Sequence, residues 1–184
     1  AVTALSNGRD VFLCRNLGDV TKLEPGATSS TDALAFSPGG RRLACGLGNG
    51  LSIWAVEGPA SPIRDFAFPA RPTSIRWSGD GTWLACGLES GGFALVSVVD
   101  GLTGIIAGFP SPVRTVCWSP PANALLASGA FRIAGWSMAA PPLDGQTAGA
   151  LETGRTGLAL VETIAAHPGK KLVAAGYANG RITV

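Results

Sequence analysis

The pentapeptide Leu43-Ala44-Cys45-Gly46-Leu47 returns unchanged 41 residues later as Leu84-Ala85-Cys86-Gly87-Leu88. Related segments follow at Leu126-Ala127-Ser128-Gly129 and Val173-Ala174-Ala175-Gly176, and a poorer copy opens the chain, with Thr3 in the column of Cys45. That column reads Thr, Cys, Cys, Ser, Ala: always small, never charged. Two more columns run in the same phase. Upstream stand "AFSPGG" (35–40), "RWSGDG" (76–81), "CWSPPA" (117–122) and "AAHPGK" (165–170); downstream stand Asn7-Gly8, Asn49-Gly50, Ser90-Gly91 and Asn179-Gly180. A period of about 40 residues means that each copy is one supersecondary unit, too small to bury its own apolar faces and stable only against its neighbours.

Local chemistry makes each unit four antiparallel strands, here termed a to d. "TDALAF" alternates apolar and polar residues before the Ser37-Pro38-Gly39-Gly40 turn, "RRLACGL" is a short apolar run, and "LSIWAVEG" alternates again. Asn49-Gly50 between the last two is a two-residue hairpin signal, expected as a turn with both central residues at positive φ. "IRDFAF" supplies the fourth strand, closed by Pro69, and "TSIRW", "TWLACGL", "GFALVSVV" and "TGIIAGF" repeat the plan. No segment of useful length keeps a 3.6-residue apolar period without Gly or Pro, so helix is nearly excluded. Sheets of this size that repeat are sealed by radial stacking, which gives an all-β β-propeller of four-stranded antiparallel blades. The small column and Gly46, Gly87, Gly129 and Gly176 are then places of close approach or bulging.

At these residues the chain resembles the WD40 repeat family. "AFSPGG", "RWSGDG" and "CWSPPA" correspond to that family's Ser-Pro-Asp-Gly turn, "LACGLGNG" and "LLASG" to its strand b and following turn, and "LSIW" and "IAGW" to the strand ending in Trp. The family's Gly-His pair before strand a is missing from every unit, and its turn Asp is Asn49, Ser90 or Asn179. Trp54 and Trp136 are kept, while Val96 and Val184 replace the others. The polar Asp-His-Ser-Trp network implied by the resemblance is therefore incomplete, and apolar packing is expected to dominate cohesion.

About five blades are visible, the first and last incomplete: 1–31 (partial), 32–70, 71–110, 111–157 and 158–184 (partial). Entering at strand b and leaving inside strand c, the chain should carry eighteen strands and be a piece of a longer, seven-bladed ring. "AAPPLDGQTAG" after Met138 is expected as an extended c-to-d connection.

Composition narrows the chemistry. With 46% hydrophobic and 14% charged residues and formal net charge +2, the 14 basic residues are scattered, which argues against a nucleic-acid partner and against a membrane surface. No stretch approaches the roughly 18 uninterrupted apolar residues of a membrane helix. Cysteines at 14, 45, 86 and 117 contain no CxxC pair and lie in apolar runs, so buried free thiols in a reducing cytoplasm are expected, with no metal and no cofactor. Scarce Lys beside abundant Ala, Gly and Arg suggests a bacterial gene of high GC content. The single histidine, His167, falls in an a-to-b turn, where no catalytic triad can be built from it. Asp32, Asp65, Asp80, Asp100 and Asp144 fall at strand starts, turns and loop ends. Trp54, Trp77, Trp118 and Trp136 occupy strand positions expected in the core, with Trp83 partly exposed.

What remains is recognition. The resemblance implies a rigid, non-catalytic scaffold for protein–protein interaction; the alternative is part of a propeller hydrolase or oxidoreductase whose catalytic residues lie outside this segment. The d-to-a and b-to-c loops should share one rim. There Arg71, Phe131, Arg132, Arg155 and Tyr177 combine Arg with aromatic character, the types enriched at interface hot spots, and are the expected protein-contacting residues.

Overall fold

The computed structural model describes residues 2–15, 18–23, 30–143 and 150–184. They form five antiparallel sheets in which sequence neighbours are hydrogen-bonded neighbours. The first sheet holds β1 (Val2–Ser6), β2 (Val11–Arg15) and β3 (Asp19–Leu23). The second holds β4 (Thr31–Phe36), β5 (Arg42–Leu47), β6 (Gly50–Ala55) and β7 (Arg64–Ala67). The third holds β8 (Pro72–Trp77), β9 (Trp83–Leu88), β10 (Gly92–Ser97) and β11 (Thr103–Ala107). The fourth holds β12 (Val116–Ser119), β13 (Ala124–Ala127) and β14 (Ala134–Ser137), and the fifth β15 (Val161–Ala166), β16 (Val173–Tyr177) and β17 (Ile182–Thr183). Among the described residues there is no α-helix, only a single 3₁₀ turn at Pro120–Ala122.

The two identical pentapeptides are second strands of successive blades, β5 and β9. Strand alternation sends neighbouring residues to opposite faces, and here each face meets a different blade. Cys45 lies in the core shared with Val11, Leu13 and Leu23 of the first blade, whereas Ala44 joins Ile75, Leu84 and Cys86 of the third. Ala85, next to Cys86, turns to Val116 and Leu125 of the fourth. The sequence repeats because each blade presents the same two faces to its two neighbours. A Cβ on Gly87 would run into the Val113 carbonyl oxygen of the next blade, so glycine lets that backbone approach.

Magnitudes rank the forces. Each fully buried Leu, Ile or Phe contributes about 1.5–3 kcal/mol, and Leu43, Leu51, Ile53, Ile75, Leu84, Leu88, Phe93 and Leu125 are all buried at blade boundaries. A typical hydrogen bond adds about 1 kcal/mol net. Apolar packing holds the blades together.

Three expectations change. The two-residue turn between β5 and β6 is Gly48-Asn49, because Leu47 already pairs with Gly50; Gly48 has φ +49°, and Gly50 is glycine because a Cβ there would sit 2.7 Å from the Phe66 carbonyl oxygen. The described residues carry seventeen strands instead of eighteen. In the fourth blade the outer strand is reduced to one bridge, Trp136 with Ala150, followed by Leu151 N–H to the Gly135 carbonyl (2.7 Å) and a Thr153 hydroxyl bond to the Ile133 carbonyl. That side chain supplies a contact which a ladder would make through backbone, so no strand registers; residues 144–149 of the expected long connection, with Asp144, lie outside the described residues. Trp118, finally, is half-buried, while Trp54, Trp77 and Trp136 are core.

Candidate functional site

Hydrogen bonds tie the d-to-a and b-to-c connections into one rim. Glu89 N–H donates to the Arg71 carbonyl (3.0 Å), Phe68 N–H to the Asn49 carbonyl (2.9 Å), Gly157 N–H to the Phe131 carbonyl (2.7 Å) and Ala178 N–H to the Leu160 carbonyl (2.9 Å). Four of the five expected contact residues thus lie on loops of this rim, and Tyr177 is the last residue of β16, beside it.

The structure brings three of them together. Arg132, Arg155 and Tyr177 line a cleft of about 560 Å³ between the fourth and fifth blades, which continues over Leu126, Ile133, Leu151 and Val173 to Lys171 at the opposite rim. The cleft is open because the fourth blade's outer edge follows an irregular path there and β17 is only two residues long. Tyr177 is half-buried and its hydroxyl lies 3.3 Å from the Thr183 hydroxyl, which fixes the ring at the cleft wall. Arg132 and Arg155 are exposed, and neither has an ionic or hydrogen-bond partner among the described residues. Phe131 stays outside the cleft with its ring exposed, and Arg71 lies away from it, in an ion pair with Glu89 at 3.2 Å. Sequence reasoning missed Lys171 and the apolar floor. Lys171 belongs to an a-to-b turn, and nothing in a repeat alignment says that one cleft spans both rims.

Residues with possible chemistry are used in structure. His167 is exposed in its turn, and its Nδ1 accepts the Gly169 N–H at 3.0 Å. Asp80 accepts from the Ser78 hydroxyl and, at 3.1 Å, from Thr82 N–H, and these bonds hold its carboxyl below the usual carboxylate range. Asp100 accepts from the Ser97 hydroxyl at 2.8 Å, and Asp65 pairs with the Ser52 hydroxyl. All four cysteines are free; Cys45 and Cys86 are buried, Cys14 and Cys117 half-buried. Burial pushes the Cys45 and Cys86 thiols well above the ordinary thiol range, and Cys117 up to about 11, which leaves them neutral and unreactive at neutral pH. Among the described residues no three His, Cys, Asp or Glu side chains converge as a metal site would need, and no helix is long and apolar enough to cross a membrane.

Stacked antiparallel blades with this repeat define a β-propeller. Solved structures show the same architecture: the WD40 repeats of RRP9 (TM-score 0.67, 13% identity, covering 96% of this chain and 50% of that one) and U3-55K (TM-score 0.66, 14% identity, 83% and 47%). Hydrazine synthase from Kuenenia stuttgartiensis also matches (TM-score 0.71, 16% identity, 96% and 52%). The chain spans about half the length of these structures. No sequence-family model matches the chain, and no curated protein does. Propellers of this shape therefore occur in an enzyme as well as in WD40 repeat domains, and the likeness establishes fold alone.

Proposed function

We propose that this chain is a non-catalytic protein-interaction module, and that a partner protein seats on the cleft between the fourth and fifth blades through Arg132, Arg155 and Tyr177. The observation that carries the reading is the convergence of two unpaired guanidinium groups and one anchored phenol ring on an apolar floor. Arg and Tyr around a desolvated centre are the composition of binding hot spots, and a cleft of this size accepts several side chains of a partner. Phe131 extends the surface at the rim. Arg71 is already engaged with Glu89 and is assigned a structural part. Free, buried thiols fit a reducing cytoplasm. The second reading, a propeller belonging to an enzyme whose catalytic groups lie in other sequence, draws on the similarity to hydrazine synthase.

Site-specific photo-crosslinking tests the proposal. A benzophenone side chain at position 155 should trap a defined protein in cells, whereas one at the exposed Glu57, outside the cleft, should not. Charge reversal at Arg132 should abolish the trapped species. Equal trapping from positions 155 and 57, or trapping insensitive to Arg132→Glu, would remove the cleft from consideration.

A further inference from the structure

The a-to-b turns of the third and fourth blades enclose a second cleft, of about 400 Å³, at the rim opposite Arg71. Its lining includes the half-buried indoles of Trp83 and Trp118, the Met138 side chain, and four polar residues, Ser78, Asp80, Ser119 and Asn123. Neither Lys nor Arg lines it.

Ser119 is 2% exposed, yet its hydroxyl has no hydrogen-bond partner among the described residues. Its counterpart Ser78, 41 residues earlier, receives the Trp83 N–H at 2.9 Å and bonds to Asp80. The difference is written in the turn: Pro121 stands where the third blade has Asp80, and a 3₁₀ turn closes the hairpin in place of the Ser-Gly-Asp-Gly turn. A buried hydroxyl without a partner costs about 1–3 kcal/mol, so the cleft is built with an unmet polar demand. Asp80 adds an exposed carboxylate at the cleft mouth. The groups that donate to it, the Ser78 hydroxyl and Thr82 N–H, are neutral, so its charge meets no cation in the cleft.

We propose that this cleft receives a basic side chain, Lys or Arg, from an extended segment of a partner protein. The cationic head pairs with the Asp80 carboxylate and donates to the Ser119 hydroxyl, its aliphatic stem lies along Met138 and Pro120, and the indoles of Trp83 and Trp118 present electron-rich faces to the charge. An anion is disfavoured by the uncompensated Asp80. A bare metal ion would find one carboxylate where a hard cation needs six or so oxygens, and a purely apolar guest would leave Ser119 unmet. This site goes beyond the function proposed above, since it uses the other rim and none of Arg132, Arg155 or Tyr177.

The test follows indole N–H signals of the protein by two-dimensional NMR during titration with blocked tripeptides, acetyl-Ala-Arg-Ala-amide, acetyl-Ala-Lys-Ala-amide and acetyl-Ala-Glu-Ala-amide. The basic peptides should shift the Trp83 and Trp118 signals saturably, leave those of Trp54 and Trp136 in place, and bind about five- to tenfold more weakly to Asp80→Asn. Equal responses to the Glu and basic peptides, or affinity unchanged by Asp80→Asn, would overturn the proposal. Free argininamide binding as tightly as the Arg tripeptide would overturn the assignment to a polypeptide. If Asp80→Asn does not fold, Ser119→Ala carries the same comparison: weaker binding of the basic peptides is expected, and unchanged binding refutes it. Because Ser119 also borders the larger cleft, the indole signals decide which cleft is occupied.

Discussion

The indole N–H of Trp118 donates to the backbone carbonyl of Arg76, one blade back, at 3.1 Å. Trp77 does the same to the Ala35 carbonyl at 3.0 Å. In each pair 42 residues separate donor from acceptor, so a repeat unit plus one residue sets the reach of a bond between innermost strands. In the column of Trp77 and Trp118, Phe36 and Ala166 have no donor, and the link is confined to two blade boundaries.

Trp77→Phe should therefore cost about 1–3 kcal/mol, through a lost bond and a carbonyl left dry at a buried position. Trp118→Phe, at a half-buried position that water can reach, should cost about 1 kcal/mol or less. Urea unfolding of both variants measures the difference, and reversal of the order would contradict the burial of these two rings.

Gly87→Ala should destabilise by about 1–3 kcal/mol or prevent folding, as overpacking does, since the added methyl meets the Val113 backbone oxygen. Gly79→Ala has nothing within 4 Å of the new methyl and should be close to neutral. Thermal unfolding of the pair separates a blade-spacing role from a general preference for glycine.

The buried thiols make stability depend on alkaline pH. A thiol whose pKa is higher folded than unfolded favours the fold fully below its unfolded value, and the benefit falls away as pH rises past it. For Cys117 the loss should run from its ordinary 9.0 to about 11. Unfolding midpoints measured across that window should decline, and Cys117→Ala should flatten the decline. At neutral pH a maleimide should label native Cys45 and Cys86 far more slowly than the same residues in urea.

Removing the two turn serines should give opposite results. Ser78→Ala loses its bond to Asp80 and the Trp83 N–H contact, and should cost about 1–2 kcal/mol. Ser119→Ala deletes a hydroxyl with no partner and should be neutral or stabilising. Chemical denaturation of both variants checks this, and a Ser119→Ala as damaging as Ser78→Ala would mean that the hydroxyl is satisfied after all.

The strands at the centre of each blade were legible because burial on both faces imposes the same small and branched residues in every copy. Turn detail was less so. Asn49-Gly50 has the residues of a two-residue hairpin, yet the turn forms one step earlier, since the glycine at 50 answers to the Phe66 carbonyl on an adjacent strand and not to its own φ. Trp118 shares a column with Trp77 but borders an open cleft, and its exposure follows from what its neighbours leave uncovered.

By itself the sequence determined the unit and its stacking: a period near 40 residues, apolar alternation and turn residues are local properties, and a chain that repeats them has few ways to bury its faces. Tertiary structure alone decided which residues meet. Arg132 reaches the same cleft as Arg155 because the loops on either side of an irregular outer edge converge there, and the Trp118 indole finds its acceptor, the Arg76 carbonyl, one blade away. Such contacts depend on distances between blades, which no single repeat encodes.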